Sequence, residues 1–335
     1  MNTKRIISLV ASLALVLSLS VGLTGCGDKA AQDDNQGSTD GEGTKYTVGI
    51  CQLVQHEALD AATQGFIDAL NEALPGQVEI VNKNASGDSA NCSTIVNGFV
   101  SDGVDLIMAN ATPALTAAAA ATSDIPILGT SITAYGVALD IDDFNGTVGS
   151  NISGTSDLAD LEAQANMISE WFPDATKVGL LFCSAEPNSR YQIEEVAKYL
   201  SDKGIETQEF AFTDTNDVAS VTQSAADYSD VVYVPTDNTA ASNTEAIANV
   251  LVPAGVPAIC GEEGICKGCG VATLTISYYD IGYKTGEMAY DILVNGADPA
   301  TMPIEYAPNF TKMYNPAICD ALGITVPDGY TAIAG

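Results

Sequence analysis

The sequence predicts an α/β protein with two similar Rossmann-like lobes, which are joined by a hinge and enclose a ligand cleft. Segments 45–81 and 175–211 share one layout, in which a strand, a polar loop, an amphipathic helix, a glycine and a second strand follow in order. Segments 104–130 and 229–262 repeat a second layout at nearly the same offset. A folded part of about 290 residues also exceeds the usual size of one hydrophobic core, so two lobes are expected.

The repeated segments are typical of parallel βαβ units. In the first copy Leu59, Phe66 and Leu70 recur at helical spacing, which predicts a helix with one apolar face. The apolar runs before the polar loops have the length of buried strands. We therefore assign residues 45–156 to lobe 1, with 277–300 returning to it, and residues 157–276 to lobe 2, together with 301–335.

The chain begins like an exported lipoprotein. Lys4 and Arg5 precede an uncharged run that ends in "LTGC" at Cys26, which is the order of a signal peptide with a lipoprotein cleavage box. Residues 1–26 are predicted to be this signal peptide with Cys26 as the lipidated residue, and a membrane-spanning helix is the alternative. Residues 27–44 contain no large apolar side chain and are predicted to be a flexible tether. The mature protein is expected on the extracytoplasmic face of the bacterial cell membrane, anchored by its lipid.

Acidic residues dominate the charge of the chain. The 43 Asp and Glu residues against 12 Lys and Arg residues give a formal net charge of −31 at pH 7. Such a surface repels nucleic acid and anionic lipid, so no nucleic-acid partner is expected. Beyond the signal peptide Arg190 is the only arginine, which argues against a phosphate or dicarboxylate ligand clamped by guanidinium groups.

The spacing of the cysteines does not indicate a disulfide framework or a complete metal site. Seven follow Cys26, and an odd number in an exported protein cannot be wholly paired. The "CKGC" segment, which runs from Cys266 to Cys269, could be a redox pair or half of a zinc site, but the chain has no second such pair. No metal is therefore expected, and the roles of Cys260, Cys266 and Cys269 stay open.

The polar loops that follow the predicted strands are candidates for a binding site. In parallel sheets such loops lie at the carboxyl ends of the strands, where ligands bind. The six loops expected at the cleft are "QLVQHEALD", "NATPA", "GTSIT", "CSAEPNS", "PTDNT" and "GEEG". Helix starts near Thr112 and Ser184 would attract a carboxylate, while Asp237 or Glu262 would receive an ammonium group. The loops predict a site for a zwitterion, and helix capping is the alternative role of each polar residue.

Motifs of catalysis are missing from the sequence. It contains no G-x-S-x-G elbow, Walker-type phosphate loop or H-E-x-x-H motif. His56 is the only histidine and is interpreted as a neutral residue of the pocket wall or of its loop, with a purely structural role as the alternative. We therefore expect no catalytic residue and no cofactor.

The motifs also resemble those of a known family. "QLVQHEALDAATQGF", "NATPA", "AEPNS", "YVPTDNTAASN" and "GEEG", followed by "YYDIGYKTGEMA", resemble in order and spacing the ABC-transporter substrate-binding proteins of the tryptophan/tyrosine-type family. The resemblance covers residues 45–330 and implies a type I periplasmic-binding fold and an amino-acid ligand, with aromatic amino acids favoured. The sequence departs from the family's pattern at "CKGC", where a cysteine-free turn is usual, and at Glu57, where proline often stands.

The resemblance further implies which residues bind the ligand and which proteins receive it. The implied ligand-binding residues are Gln52, His56, Thr112 and Thr130 in lobe 1, and Ser184, Glu186, Asn188, Thr236, Asp237, Asn238 and Glu262 in lobe 2. The implied partners are an ABC permease and its ATPase, served by a monomeric receptor. A ligand-binding sensor subunit and an extracytoplasmic hydrolase are the competing functions.

Overall fold

The computed structural model describes residues 45–334. The predicted signal peptide, including Cys26, and the predicted tether lie outside the described residues. Within residues 45–334 no helix is both long enough and apolar enough to cross a membrane. The described residues form two sheets flanked by helices, so the predicted two-lobed α/β fold is confirmed.

The chain runs through lobe 1, then through lobe 2, and then returns to each lobe in turn. The elements of the first stretch are β1 (Tyr46–Gln52), α1 (Glu57–Ala73), β2 (Val78–Asn84), α2 (Ser89–Asp102), β3 (Leu106–Asn110), α3 (Thr112–Ala121), β4 (Ile127–Ile132), α4 (Tyr135–Ala138) and β5 (Ile152–Ser156). Those of the second are α5 (Leu161–Trp171), β6 (Lys177–Cys183), α6 (Pro187–Asp202), β7 (Glu206–Phe212), α7 (Val218–Tyr228), β8 (Val231–Val234), α8 (Asn238–Ala241), α9 (Thr244–Ala254), β9 (Ala258–Cys260), α10 (Glu263–Cys269) and β10 (Ala272–Thr275). The last stretch contains α11 (Tyr278–Leu293), a 3₁₀ turn (Pro299–Thr301), β11 (Glu305–Tyr306), β12 (Thr311–Tyr314), α12 (Pro316–Leu322) and β13 (Thr331–Ala332).

Each lobe is built on one mostly parallel sheet. The strand orders are β11-β5-β4-β3-β1-β2 in lobe 1 and β13-β12-β10-β9-β8-β6-β7 in lobe 2. Only the β10–β12 pair is antiparallel among the described strands. The chain order reverses beside β1 in the first sheet and beside β6 in the second. Such reversal points leave a crevice at the carboxyl ends of the strands, so the loops after β1 and β6 lie where a ligand is expected.

Three connections join the lobes and form the hinge: residues 157–160, 276–277 and 307–310. The expected assignment of residues 301–335 to lobe 2 is wrong for one segment, because β11 pairs in parallel with β5 of lobe 1. The physical reason is burial. Ile304 belongs to the core of lobe 1, and its N–H donates to the carbonyl of Gly146 at 2.8 Å.

The second crossing is held in place by close packing of α1 against α11. A Cβ on Gly65 would lie 2.8 Å from the backbone nitrogen of Tyr283, and one on Gly282 would lie 2.7 Å from the Cα of Ala62. Both distances are too short for a side chain, so glycine at these positions lets the two helices approach. The packing fixes Tyr278, the first residue of α11, at the boundary between the lobes.

All seven cysteines among residues 45–334 are buried and free. Cys260, Cys266 and Cys269 lie together in one apolar cluster of lobe 2. Burial raises the pKa of the Cys266 thiol, which keeps it protonated. These cysteines therefore behave as small apolar core side chains.

Candidate functional site

A narrow cavity lies between the lobes at the carboxyl ends of strands from both sheets. Its polar lining comes from lobe 1 (His56, Ser131, Thr133), from the first crossing (Asp157), from the start of α11 (Tyr278) and from lobe 2 (Asn188, Thr236, Asp237, Asn238, Glu262). The volume is about 10 Å³, which is room for about one water molecule. A ligand as large as an amino acid can therefore enter only if the lobes move apart.

Asp157 lies in this cavity at the first crossing, directly after β5. Its Oδ1 accepts a hydrogen bond from the Thr133 hydroxyl at 2.9 Å, and its Oδ2 accepts one from the Tyr278 hydroxyl at 3.0 Å. Burial raises the pKa of this carboxyl to about 6, because the ionised form loses its hydration. Asp157 was not predicted from the sequence, since it belongs to the first crossing and to none of the six polar loops.

Asp237 follows β8 and lines the cavity from lobe 2. Its Oδ1 accepts from the backbone N–H of Ala240 at 2.7 Å and its Oδ2 from that of Cys183 at 2.6 Å. The carboxylate therefore caps α8 and ties it to the end of β6, a structural role that comes in addition to the predicted contact with an ammonium group. Burial, together with the negative charge of Glu186, raises the pKa of Asp237 to about 8.

Glu262 also combines a cap with a place in the cavity wall. Its side chain accepts hydrogen bonds from the backbone N–H groups of Gly264, at 2.7 Å, and Ile265, at the start of α10. Burial raises the pKa of Glu262 to about 7. Three carboxyl groups are thus held out of water around one cavity.

Glu186 stands behind the cavity wall and organises the loop that carries Asn238. Its Oε1 accepts from the backbone N–H and the hydroxyl of Thr239, at 2.9 and 2.8 Å. Its Oε2 accepts from the backbone N–H and the side-chain amide of Asn238, at 3.0 and 2.7 Å. So many donors satisfy the buried carboxylate without a cation, and the contacts fix the orientation of the Asn238 amide.

His56 connects the two lobes. Its Nε2 lies 3.1 Å from Oδ1 of Asn238. Because the Asn238 amide nitrogen donates to Glu186, this oxygen faces the ring, and Nε2 must be the donor. Burial lowers the pKa of His56, so the ring is neutral at pH 7. The geometry agrees with the interpretation of His56 as a neutral wall residue and gives it a contact across the cleft.

Besides Glu186, four of the implied ligand-binding residues lie outside the cavity wall. Gln52 is held by Thr63, Asp60 and the carbonyl of Val54. Thr130 shares a hydrogen bond with Thr155. Ser184 is exposed and donates to the carbonyl of Phe212 at 3.2 Å.

Thr112, the fourth, is the first residue of α3. It is buried, and its hydroxyl has no hydrogen-bond partner within residues 45–334. The residue before it, Ala111, provides no side-chain cap for the helix. The start of α3 therefore keeps hydrogen-bonding capacity close to the cleft.

Ser131, Thr133 and Tyr278 also line the cavity without having been predicted as individual residues. Ser131 and Thr133 lie in the "GTSIT" loop, and Tyr278 opens the "YYDIGYKTGEMA" segment. The first stretch was predicted to face the cleft because it follows a strand, and the second carries part of the family resemblance. The sequence therefore indicates both segments, but it does not indicate which of their side chains point into the cavity.

The two departures from the family's pattern meet in space. Glu57 of lobe 1 and Lys267 of the "CKGC" segment form an ion pair with 3.0 Å between carboxylate oxygen and ammonium nitrogen. Their side chains are 62% and 41% exposed, so the pair adds less than about 1 kcal/mol to closure of the lobes. The pair lies beside the cavity and contributes no cation to its wall.

The charge balance of the cavity defines what it can bind. Asp157, Asp237 and Glu262 line it, whereas no lysine or arginine of the described residues does. Among residues 45–334 no group of three or more His, Cys, Asp or Glu side chains is placed to hold a metal ion. An organic cation that donates hydrogen bonds is therefore the ligand group that suits this wall.

The raised pKa of Asp157 predicts a pH effect on stability. An ordinary aspartate in the unfolded chain ionises near pH 4, whereas the buried group ionises near pH 6. Its contribution to the free energy of unfolding is therefore largest below pH 4 and is lost as the pH rises to about 6. Urea unfolding at several pH values measures this. Between pH 4 and pH 6 the free energy of unfolding of wild type should fall by roughly 3 kcal/mol more than that of Asp157→Asn. An unchanged difference between variant and wild type from pH 4 to 7 would contradict the assignment.

Comparison with known sequences agrees with this architecture. The family model described as ABC transporter substrate binding protein matches residues 47–335. A tyrosine-binding protein from Clostridioides difficile (strain R20291) is 33% identical over 313 residues, which are 90% of this chain and 88% of that protein. The family named from the motifs is therefore confirmed.

Solved structures agree as well. An ABC domain from Streptococcus pneumoniae in complex with L-Trp is 30% identical, with coverage of 87% of this chain and 100% of that one, and gives a TM-score of 0.82. A ligand-free, open substrate-binding protein from Clostridium difficile is 34% identical, covers 86% and 99% of the two chains, and gives a TM-score of 0.66. The overall arrangement is thus closer to the L-Trp complex, although the sequence is slightly closer to the open protein. The chain belongs to the family of ABC transporter substrate-binding proteins.

Proposed function

We propose that this protein is a lipid-anchored extracytoplasmic receptor that captures an aromatic amino acid between its lobes and delivers it to an ABC permease. The observation that carries the proposal is the cavity between the lobes. Asp157, Asp237 and Glu262 are buried in its wall, and none of the lysine or arginine side chains among residues 45–334 lines it. An ammonium group bound there would replace the water that the carboxylates lose, and it would be attracted strongly because the surroundings are poorly hydrated.

The opposite end of the ligand has a suitable position in lobe 1. The N-cap residue of α3, Ala111, has no side chain that could accept a hydrogen bond from the helix start. The buried Thr112 hydroxyl has no hydrogen-bond partner among the described residues. Helix starts attract carboxylates through their dipole, and here Thr112 offers its N–H and its hydroxyl, since Pro113 has no N–H and that of Ala114 donates to the carbonyl of Ala111 at 3.1 Å. A zwitterion could therefore bind with its ammonium group at the acidic wall and its carboxylate toward α3.

Two observations support an aromatic side chain on the amino-acid ligand. One relative is a tyrosine-binding protein, and another was solved with L-Trp. Beside the acidic groups the cavity is also lined by Leu59, Ala58 and Ala241, and by the ring of Tyr278. The Tyr278 ring and these apolar side chains give an aromatic ligand a surface to pack against.

A thermal-shift screen of the amino acids tests the ligand class. L-tryptophan, L-tyrosine or L-phenylalanine should give the largest stabilisation, ~2.7 kcal/mol at a hundredfold excess over the dissociation constant. Asp157→Asn should weaken binding of that amino acid at least tenfold, because its ammonium group loses a buried partner. Asp124→Asn, at an exposed position, is the matched control and should bind like wild type. A larger shift with a sugar or a branched aliphatic amino acid would refute the ligand class, and turnover of any ligand would favour the hydrolase.

The proposed lipid anchor depends on Cys26. Cys26→Ser should release the protein into the medium or leave an uncleaved precursor, because the residue that carries the lipid is lost. Fractionation of cells and medium measures this. The binding affinity should stay unchanged, since residues 45–334 form the lobes and the cavity. Normal processing and membrane retention of the variant would refute the anchor and leave the ligand proposal standing.

A further inference from the structure

Three thiols of lobe 2 lie together next to the loop that carries Glu262. Cys260 ends β9, while Cys266 and Cys269 belong to α10. All three residues are at most 1% exposed, and they share one apolar cluster. The Cys260 thiol is in hydrogen-bonding contact with the thiols of Cys266 and of Cys269. The fold therefore brings together three reactive groups whose roles the sequence leaves open.

The spacing of "CKGC" suggests a disulfide between Cys266 and Cys269, but their place in the fold disfavours it. Both residues belong to the continuous helix α10, and the N–H of Gly270 still donates to the carbonyl of Cys266 at 3.0 Å. Residues three positions apart on a helix have Cβ atoms about 5–6 Å apart. A disulfide needs Cβ atoms about 3.5–4.5 Å apart, so this pair could close only if the helix unwound.

The sulfur of Cys260 lies close to the backbone of Cys266. A Cβ added to Gly270 would collide with Sγ of Cys260 and would lie 3.1 Å from Cα of Cys266, so both atoms border the same small volume. The competing thiol of Cys269 donates to the carbonyl of Ile265 at 3.3 Å, within its own helix. Cys266 is therefore the partner that the geometry favours for Cys260.

We propose that Cys260 and Cys266 form a disulfide when the protein folds under oxidising conditions, and that "CKGC" is not itself the redox pair. The bond joins the end of β9 to α10 and closes a short loop, residues 261–265. This loop contains Glu262, whose side chain caps α10, so the bond also holds that carboxyl in the cavity wall. The proposed location outside the cytoplasmic membrane supplies the oxidising conditions, but the pairing depends on neither the ligand nor the lipid anchor.

The bond forms by two exchange steps with a small external disulfide such as oxidised glutathione. The Cys266 thiolate attacks one sulfur of that disulfide, which gives a mixed disulfide and releases one glutathione thiolate. The Cys260 thiolate then attacks the Cys266 sulfur and releases the second. The two protein thiols thereby lose two protons and two electrons, and the external disulfide is reduced to two thiols. Because buried thiols are inert, the exchange takes place before folding of lobe 2 is complete.

Refolding followed by peptide mapping tests the pairing. The protein is unfolded and reduced in guanidinium chloride, refolded with reduced and oxidised glutathione, alkylated with N-ethylmaleimide and digested. Cleavage after Glu263 separates Cys260 from Cys266, and cleavage after Lys267 separates Cys266 from Cys269. Mass spectrometry should find the Cys260 peptide joined to the Cys266 peptide, with Cys269 alkylated, in most of the refolded protein. Any other pairing of the three residues, or alkylation of all three, would overturn the inference.

Two variants and a reductant test the role of "CKGC" and the burial of the bond. Cys269→Ala should keep the bond between Cys260 and Cys266, and so should the matched control Cys319→Ala, at a buried cysteine of a different cluster. In the folded wild type the bond should resist dithiothreitol, because its sulfurs are buried, and should be reduced once guanidinium chloride unfolds the protein. Loss of the bond in Cys269→Ala but not in Cys319→Ala, or equally fast reduction with and without guanidinium chloride, would overturn the inference.

Discussion

Burial of several carboxyl groups around one narrow cavity is the constraint on which the site depends. Ionised carboxylates lose much of their hydration when they leave water, and an unpaired one is strongly unfavourable. Asp157, Asp237 and Glu262 are 4%, 1% and 3% exposed, and no cation of the described residues lines their cavity. The chain tolerates this because every one of the three accepts hydrogen bonds, and because raised pKa values let protons neutralise part of the charge.

The hydrogen bonds that satisfy the acids also hold the cleft edge together. Asp237 ties α8 to β6, and Glu262 caps α10. Asp157 joins β4 to the second crossing through Thr133 and Tyr278. Structural and binding roles therefore coincide in the same side chains. A substitution of one of these side chains that weakens binding can also loosen the loops, so variants at exposed positions are needed as controls.

The fold could be predicted from the sequence because the apolar periodicity of the repeated βαβ units fixes it. Position at the carboxyl edge was also predictable for His56, Asp237 and Glu262, which follow buried strands and line the cavity. Gln52, Thr130 and Ser184 follow the same rule, yet local partners occupy their side chains. Sequence spacing places a residue at an edge and does not give the direction of its side chain.

The residues that sequence reasoning missed depend on contacts between distant segments. Asp157 comes from the first crossing and Tyr278 from the start of α11, and they meet only in the folded protein. Ser131 reaches its position through one extra residue in β4, which no local pattern indicates. The segment Glu305–Tyr306 was assigned to the wrong lobe for a related reason, since its pairing with β5 spans a long separation in the chain.

The central claim is that the acidic cavity holds the ammonium group of an amino acid. The most direct test compares the dissociation constant of each aromatic amino acid with that of its analogue without the amino group. The account predicts that the analogue binds at least a hundredfold more weakly, because it carries a net negative charge and leaves the three buried carboxyl groups without a cation. Equal affinity for an amino acid and its deaminated analogue would contradict it.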